Sequence, residues 1–237
     1  MKRHVVAFAA LSLAAALLAA CGGGGKGEEV SPTTNPADLQ AKVDNRLYPL
    51  SSSNPKVYEG EERDPDTGQT AKTRVESTVL PKTDRVAGVE VTVIEDREYK
   101  DGELVESTLD YFAQHRDGSV YYFGERLDEY EGGKVVGHSG QWLAGEGRNQ
   151  PGVFMPAQPA LGLTFEQENA PGVAEDRSTI VAVDQSVSTP AGSFNGCIKT
   201  EDFNPLDKTT EFKYYCPGVG VVREEFPGGH LDLISYK

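Results

Sequence analysis

Apolar and polar residues alternate along much of the chain with the two-residue period of a β-strand. Val89, Val91 and Val93 alternate with Glu90 and Thr92, so the three valines share one face of an extended segment. The turn pairs that recur between such runs are Asp101-Gly102, Asp117-Gly118, Gly132-Gly133, Ala191-Gly192 and Gly228-Gly229. Asp-Gly and Gly-Gly pairs accept the positive φ angles of tight hairpins. The pattern therefore predicts a series of β-hairpins.

The segment 105–113 has the same alternation and is predicted to be a strand. Its odd-numbered residues are mostly apolar and are predicted to form a buried face. Glu106, Thr108 and Asp110 are then predicted to point to solvent.

Two further runs, Ser178–Thr189 and Val219–Phe226, have the composition of strands. Helical periodicity is almost absent, and only Pro36–Val43 has the pattern of a short helix. We therefore predict an all-β fold. It is an antiparallel up-and-down meander of about ten strands that forms a strongly curved sheet or an incomplete barrel.

Cys197 and Cys216 flank one predicted hairpin. Its strands are 197–203 and 209–216, with a turn at 204–208. Folding about the midpoint of this turn places Cys197 opposite Cys216, which predicts a disulfide in an oxidising compartment. A redox-active pair is the alternative, but the chain has no Cys-x-x-Cys motif.

Residues 148–162 interrupt the strand pattern, because three prolines in this segment disfavour a central strand. The segment also contains the apolar residues Val153, Phe154 and Met155. Long loops are often functional, so one interpretation is a loop at the mouth of a ligand cavity. The other interpretation, and the commoner outcome for an apolar cluster, is a loop that plugs an open end of the sheet.

The N-terminal residues 1–20 have the three parts of a secretory signal peptide. The basic segment Met1–His4 precedes the almost entirely apolar run Val5–Leu18, and small residues follow. The apolar run is shorter than the roughly 20 residues of a membrane-spanning helix. We therefore predict that residues 1–20 are removed during export.

The sequence Leu18-Ala19-Ala20-Cys21 resembles the lipobox of bacterial lipoproteins. The resemblance implies that Cys21 is the first residue of the mature protein and carries acyl chains. Two or more such chains hold a protein stably on a membrane. The resemblance thus implies an extracytoplasmic protein, lipid-anchored to a membrane of the cell envelope. Because Gly22 rather than Asp follows the cysteine, this is the outer membrane if the cell has two membranes.

Composition and charge define the remaining organisation. Residues 21–37 are rich in Gly, Pro and polar residues and are predicted to be a flexible tether. Residues 38–237 are predicted to be a single antiparallel β domain. Without the signal peptide the chain has 21 basic and 37 acidic residues, a net charge of −16. This charge argues against nucleic acid and against electrostatic attraction to anionic lipid, so the acyl chains on Cys21 must hold the protein on its membrane.

None of the motifs that carry chemistry is complete. Gly137–Gly140 lacks the last glycine of a nucleophile elbow, and Asp64–Gly68 lacks the glutamate that closes a calcium loop. Gly218–Gly220 lacks the third glycine of a dinucleotide loop. The histidines after the signal peptide are His115, His138 and His230, and no two of them have metal-ligand spacing. We therefore predict no catalytic residue, no metal site and no cofactor.

Three acidic doublets occur in predicted strands and turns: Glu175-Asp176, Glu201-Asp202 and Glu224-Glu225. Adjacent residues of a strand point to opposite faces, so the two carboxylates of one doublet cannot act together as general acid and base. In a chain this acidic, we expect these carboxylates on solvated faces.

A set of longer motifs extends over the predicted domain. They are Asp96–Tyr99, Tyr121–Glu125 (YYFGE), Trp142–Glu146 (WLAGE), Met155–Ala157, Ala170–Asp176 (APGVAED), Thr189–Phe194 (TPAGSF) and Tyr214–Gly220 (YYCPGVG). Together they are similar to a family of exported prokaryotic proteins and lipoproteins of unknown function. The resemblance covers nearly the whole domain, but it implies no established activity or site.

The sequence supports three functional hypotheses. The preferred one is a non-enzymatic, membrane-anchored envelope lipoprotein that binds an apolar or amphipathic ligand in a curved sheet, with residues 148–162 at the mouth. The alternative is a structural or interaction lipoprotein with a filled core and no small ligand. The third is a hydrolase that uses His138 or an unforeseen cluster of carboxylates. The sequence does not indicate any protein partner.

Overall fold

The structure, a computed structural model, describes residues 29–30, 35–51, 55–65 and 67–237. These residues are mostly β-strand, and they include one short 3-10 helix at Pro36–Asp38. The strands are β1 (Glu29–Val30), β2 (Leu39–Gln40), β3 (Asp44–Asn45), β4 (Tyr48–Pro49), β5 (Lys56–Arg63), β6 (Thr70–Val86), β7 (Val89–Lys100), β8 (Glu103–His115), β9 (Val120–Glu131), β10 (Lys134–Gly137), β11 (Trp142–Leu143), β12 (Gly152–Met155), β13 (Thr164–Glu166), β14 (Arg177–Thr189), β15 (Gly192–Phe203), β16 (Thr210–Cys216), β17 (Gly220–Phe226) and β18 (Gly229–Tyr236).

Within the described residues, sixteen of these strands form one sheet. The strand order is β1-β13-β14-β15-β16-β17-β18-β5-β6-β7-β8-β9-β10, with β2 paired to β8, and β11 and β12 paired to β9. All neighbours are antiparallel except β1 and β13. Two meanders, β5–β10 and β13–β18, are therefore joined where β18 pairs with β5. The predicted all-β antiparallel meander is confirmed, and the sheet is not closed into a barrel.

The two ends of the sheet approach each other at β12. This strand pairs with β9 on one side. On the other side, an isolated bridge joins Gln150 to Asn169, and the Gln167 side chain donates to the carbonyl of Phe154. A Cβ on Gly152 would lie 1.9 Å from the carbonyl oxygen of Gln167, so only glycine permits this approach. The segment around β12 thus lies between the two ends of the curved sheet, but it does not join them by a continuous hydrogen-bonded ladder.

Several predicted hairpins are present as expected. Asp101 and Gly102 have φ angles of 50° and 85°, as a tight turn between β7 and β8 requires. The register of β15 on β16 pairs Ile198 with Tyr215. One residue further along, the sulfur atoms of Cys197 and Cys216 are 2.00 Å apart, which is a disulfide. The predicted pairing of these cysteines is therefore confirmed.

An N-terminal hairpin, formed by β3 and β4, packs into the interior of the sheet. The Gln114 side chain of β8 holds it, because its Oε1 accepts from the backbone N–H groups of Asp44 and Asn45, each at 2.8 Å. Tyr48 and Leu50 of this segment are buried. The hairpin therefore fills part of the interior that a ligand would otherwise occupy.

Two local predictions are wrong. The short helix expected over Pro36–Val43 is a 3-10 turn at Pro36–Asp38 followed by β2, because Leu39 pairs with His115 and extends the sheet. The expected loop at 148–162 contains the strand β12, which fits between two of the prolines. In addition, Glu29–Val30, inside the predicted tether, pairs with β13.

The predicted orientation of β8 is wrong for the part of the strand up to Asp110, whereas Tyr111 and Ala113 are buried as expected. Glu106, Thr108 and Asp110 are buried, whereas Val105 and Leu109 are only half-buried. Alternation establishes the period of a strand, but a shift by one residue exchanges its two faces. The inward face of β8 is polar here because it faces a part of the interior that is rich in carboxyl groups.

Candidate ligand cavity

A cavity of about 40 Å³ lies between the sheet, the N-terminal hairpin and β12. This volume is enough for a few water molecules. The lining residues come from both meanders: Tyr48, Leu50, Lys56, Tyr58, Ser77, Val79, Ile94, Asp96, Asp110, Phe112, Tyr122, Phe154, Lys213, Tyr215 and Val221. Since β5–β9 and β16–β17 all contribute, the sheet curves around this space.

Aromatic rings form one side of the cavity. The ring centroid of Phe154 lies 4.6 Å from that of Tyr48 and 4.9 Å from that of Phe112. Tyr122 stacks on Phe112 with centroids 4.9 Å apart. Such packed rings present a large apolar surface, and their tyrosine hydroxyls offer hydrogen bonds.

One of the residues that line the cavity is a buried lysine. Lys56, the first residue of β5, is only 7% exposed. No ion pair or side-chain hydrogen bond holds its ammonium group within the described residues. Burial lowers the pKa of Lys56 to about 8, and the negative charge of Asp96 only partly offsets this effect. Among the described residues, Lys56 is thus a buried cation without an ion-pair partner.

Two carboxyl groups, those of Asp96 and Asp110, also line the cavity. Burial raises the pKa of Asp96 to about 6, although the hydroxyl of Ser77 and the charge of Lys56 oppose the shift. The Oδ1 atom of Asp96 has no hydrogen-bond partner in the described structure. Asp110 accepts a hydrogen bond of 2.5 Å from the Tyr122 hydroxyl, and burial raises its pKa well above the usual range. The polar groups of the lining can therefore both donate and accept hydrogen bonds.

Lys213 lines the same cavity but is surrounded by carboxylates. Its Nζ lies 3.2 Å from Asp202 and 3.7 Å from both Glu211 and Glu224. Burial opposes its protonation, but the negative charges of Glu224, Asp202 and Glu211 outweigh burial and raise the pKa of Lys213 well above its usual range. This ammonium group is held in an internal ionic cluster.

Buried carboxyl groups are unusually numerous throughout the interior. The described residues include eight that are at most 7% exposed: Glu62, Glu98, Glu106, Asp110, Glu125, Glu168, Asp202 and Glu224. Neither carboxyl oxygen of Glu125 has a hydrogen-bond partner in this part of the chain, and burial raises its pKa well above the usual range. The expectation of solvated acidic doublets is wrong for Asp202 and Glu224, because each occupies an inward position of its strand.

The apolar residues predicted at the mouth have different positions. Val153 and Met155 are fully buried in the core, whereas Phe154 is half-buried and lines the cavity. Alternation along β12 accounts for this difference, since neighbouring residues face opposite sides. The segment therefore contributes one cavity residue and two core residues.

Other predicted positions lie away from the cavity or outside the described residues. Cys21 and the signal peptide lie outside the described residues. His138 is exposed, and its Nδ1 lies 2.9 Å from the carbonyl oxygen of Leu127 and 3.0 Å from Asp128, while the neighbouring Ser139 hydroxyl donates to Glu129. Hence His138 and Ser139 each pair with a different carboxylate of β9. In the described ranges, no group of three or more His, Cys, Asp or Glu residues could hold a metal ion.

No pattern in the sequence indicates the charged residues of the cavity. Lys56 and Asp96 belong to strands that are not adjacent, β5 and β7, so no local motif joins them. The only available signal was a lysine at the start of a strand, followed by Val57 and Tyr58, which is too common to indicate a site.

No family model matches this chain, and no curated protein or solved structure matches it. The resemblance of its motifs to exported prokaryotic proteins therefore stays a prediction. In the part of the chain that is described, no helix has the length and apolar character needed to cross a membrane.

Proposed function

We propose that this protein is a non-enzymatic lipoprotein of the cell envelope that binds a small amphipathic molecule in its interior cavity. The observation that supports the proposal is the composition of the cavity lining, which combines packed aromatic rings with charged groups that are incompletely partnered in the described residues. Apolar pockets with a few convergent polar groups are typical binding sites for small molecules.

The charged groups of the lining favour a ligand most strongly. A buried ammonium group without a partner destabilises a folded protein, since desolvation is not offset by an ion pair. Titratable groups that are perturbed in this way concentrate at functional sites. A ligand that pairs with Lys56 or Asp96 would remove this cost.

The volume limits the size of the ligand. Pockets for drug-sized molecules measure roughly 300 Å³ or more, which far exceeds the 40 Å³ present here. The ligand is therefore small, or its apolar end displaces the half-buried ring of Phe154.

Native mass spectrometry of protein isolated from its own envelope tests this proposal. We expect a bound small molecule that is lost on denaturation. Phe154→Trp should abolish the bound mass by filling the cavity, and Leu161→Trp, at a 65% exposed position of the same segment, should keep it. Absence of any bound molecule from the unmodified protein would contradict the proposal.

The anchoring part is tested separately. Cys21→Ser should abolish incorporation of labelled palmitate and release the protein from the membrane, because the acyl chains provide the attachment. Undiminished labelling of this variant would show that Cys21 is not the lipidated residue.

A structural lipoprotein with a filled core is the second candidate, and the full burial of Val153 and Met155 favours it. Changing Val153, Phe154 and Met155 together to Ser should then lower the melting temperature strongly, since each fully buried apolar side chain contributes roughly 1.5–3 kcal/mol. Such a loss in a protein that never retained a ligand would support this candidate over the first.

A further inference from the structure

We propose that the cavity recognises the carboxylate of a short amphipathic monocarboxylate through the ammonium group of Lys56. This inference rests on the proposed function and names the class of ligand. It places the carboxylate of the ligand beside Lys56 and its aliphatic chain against the aromatic rings of the lining.

The assignment of a negatively charged head group follows from the charges around the cavity. Lys213 already has three carboxylates within 3.7 Å, whereas Lys56 has no ion pair in the described structure. Asp110 is engaged with the Tyr122 hydroxyl. The buried cation that still lacks a partner is therefore Lys56, and an anion is the group that complements it.

Tyrosine hydroxyl groups lie in the same lining, and that of Tyr215 has no hydrogen-bond partner in the described residues. Lys56 and the tyrosines 48, 58 and 215 line the same small space. The Tyr58 hydroxyl donates to the carbonyl of Val221, so it is already committed. A carboxylate has capacity for several donors, and charge-assisted bonds to an ammonium group are among the strongest hydrogen bonds.

Asp96 competes with the ligand for Lys56. Its carboxyl lines the same cavity, and its charge favours the protonated form of Lys56. Removing this charge should leave Lys56 more available to a bound anion. Asp96→Asn is therefore expected to strengthen binding, in contrast to any change at Lys56.

Calorimetric titration of the purified mature protein with butyrate tests this assignment. Lys56→Met should weaken butyrate binding by about tenfold or more, the effect of losing one charge-assisted hydrogen bond. Lys82→Met, at an exposed position on β6, should leave it unchanged, and Asp96→Asn should tighten it. Butyramide, which has a similar shape but no charge, should bind more weakly than butyrate.

The inference is wrong if wild-type protein does not bind butyrate, if butyramide binds equally well, or if Lys56→Met keeps full affinity. Failure of the inference differs from failure of the proposed function. A neutral or cationic molecule found on the native protein would overturn the role of Lys56 and leave ligand binding intact, whereas no bound molecule of any charge would overturn both.

Discussion

Lys56 and Lys213 line the same cavity and are equally buried, each 7% exposed, but their surroundings are opposite. Carboxylates surround Lys213 and raise its pKa well above the usual range, whereas burial without an ion pair lowers the pKa of Lys56 to about 8. Burial alone therefore does not assign a role to a charged residue. The surroundings indicate that Lys213 stabilises the interior and that Lys56 destabilises it while offering a binding group.

The largest expected effect is the loss of the partnered lysine. Lys213→Met leaves Asp202, Glu211 and Glu224 without their cation, and breaking a buried ion pair in this way costs about 3–5 kcal/mol. Urea denaturation measures the free energy of unfolding. The control is Lys199→Met, which removes a more exposed pair with Glu225 and should cost less than about 1 kcal/mol. Equal effects of the two variants would contradict the structural role of Lys213.

The disulfide should stabilise the side of the cavity to which Lys213 belongs. Cys216 ends β16, the strand that also carries Lys213 and Tyr215. Replacing Cys197 and Cys216 together by Ala should lower the free energy of unfolding by about 3 kcal/mol, because the unfolded chain gains the entropy of an open loop. Hydrogen exchange should show a greater loss of protection in β16 than in β5. A uniform loss across both strands would show that the disulfide does not act locally on the surroundings of Lys213.

Replacing Lys56 should have a smaller effect on the free energy of unfolding than replacing Lys213, and the effect should have the opposite sign. Lys56→Met removes a desolvated charge and keeps an unbranched side chain of similar length, so the free energy of unfolding should rise by about 1–3 kcal/mol at neutral pH. The folded-state pKa of Lys56 is lowered, so its cost is present below about pH 8 and disappears as the pH rises towards the unfolded value of 10.5. The difference between variant and wild type should therefore shrink in alkaline solution. A constant difference across this range would mean that the charge of Lys56 is not its cause.

The surroundings of Lys213 and of Lys56 were not equally predictable from the sequence. The hairpin that joins Cys197 to Cys216 was predictable, because strand period and turn position are local properties of the chain. The inward orientation of Asp110 was not, since both faces of β8 carry residues that could be buried. The turn at Ala87-Gly88 was also missed, because Ala87 has a φ of 49° that its residue type rarely adopts.

The charges of the cavity were inaccessible for a different reason. Lys56 and Asp96 line the same cavity although β6 lies between their strands in the sheet. The carboxylates around Lys213 come from three different strands, β15, β16 and β17. Such arrangements depend on tertiary pairing, which no short motif records. A general rule that carboxylates lie on solvated faces fails where an interior ammonium group or a raised pKa compensates for their burial.

The smallest expected effect is the pH dependence that Asp96 gives to the free energy of unfolding. It tests the surroundings of Lys56 separately from those of Lys213. Burial raises its folded-state pKa to about 6, above the ordinary value of 3.8, so the folded state binds a proton that the unfolded chain has released. The stabilisation from this group is complete below the unfolded pKa and is lost as the pH rises through about 6. Between about pH 7 and pH 5, Asp96 should therefore raise the free energy of unfolding by roughly 1 kcal/mol as the solution is acidified.

The groups that act on Asp96 are Ser77 on β6, Lys56 on β5 and Glu95 on its own strand. The charge of Asp96 in turn raises the pKa of Asp110 on β8. Because other buried carboxyls titrate in the same interval, only the difference between wild type and Asp96→Asn isolates this residue. Denaturant unfolding at several pH values should show that the wild type gains about 1 kcal/mol more than the variant on acidification. Identical profiles would mean that Asp96 has an ordinary pKa. In that case the charged form of Asp96 would be as well stabilised in the folded protein as in the unfolded chain, and Lys56 would have a better counter-charge than the geometry indicates.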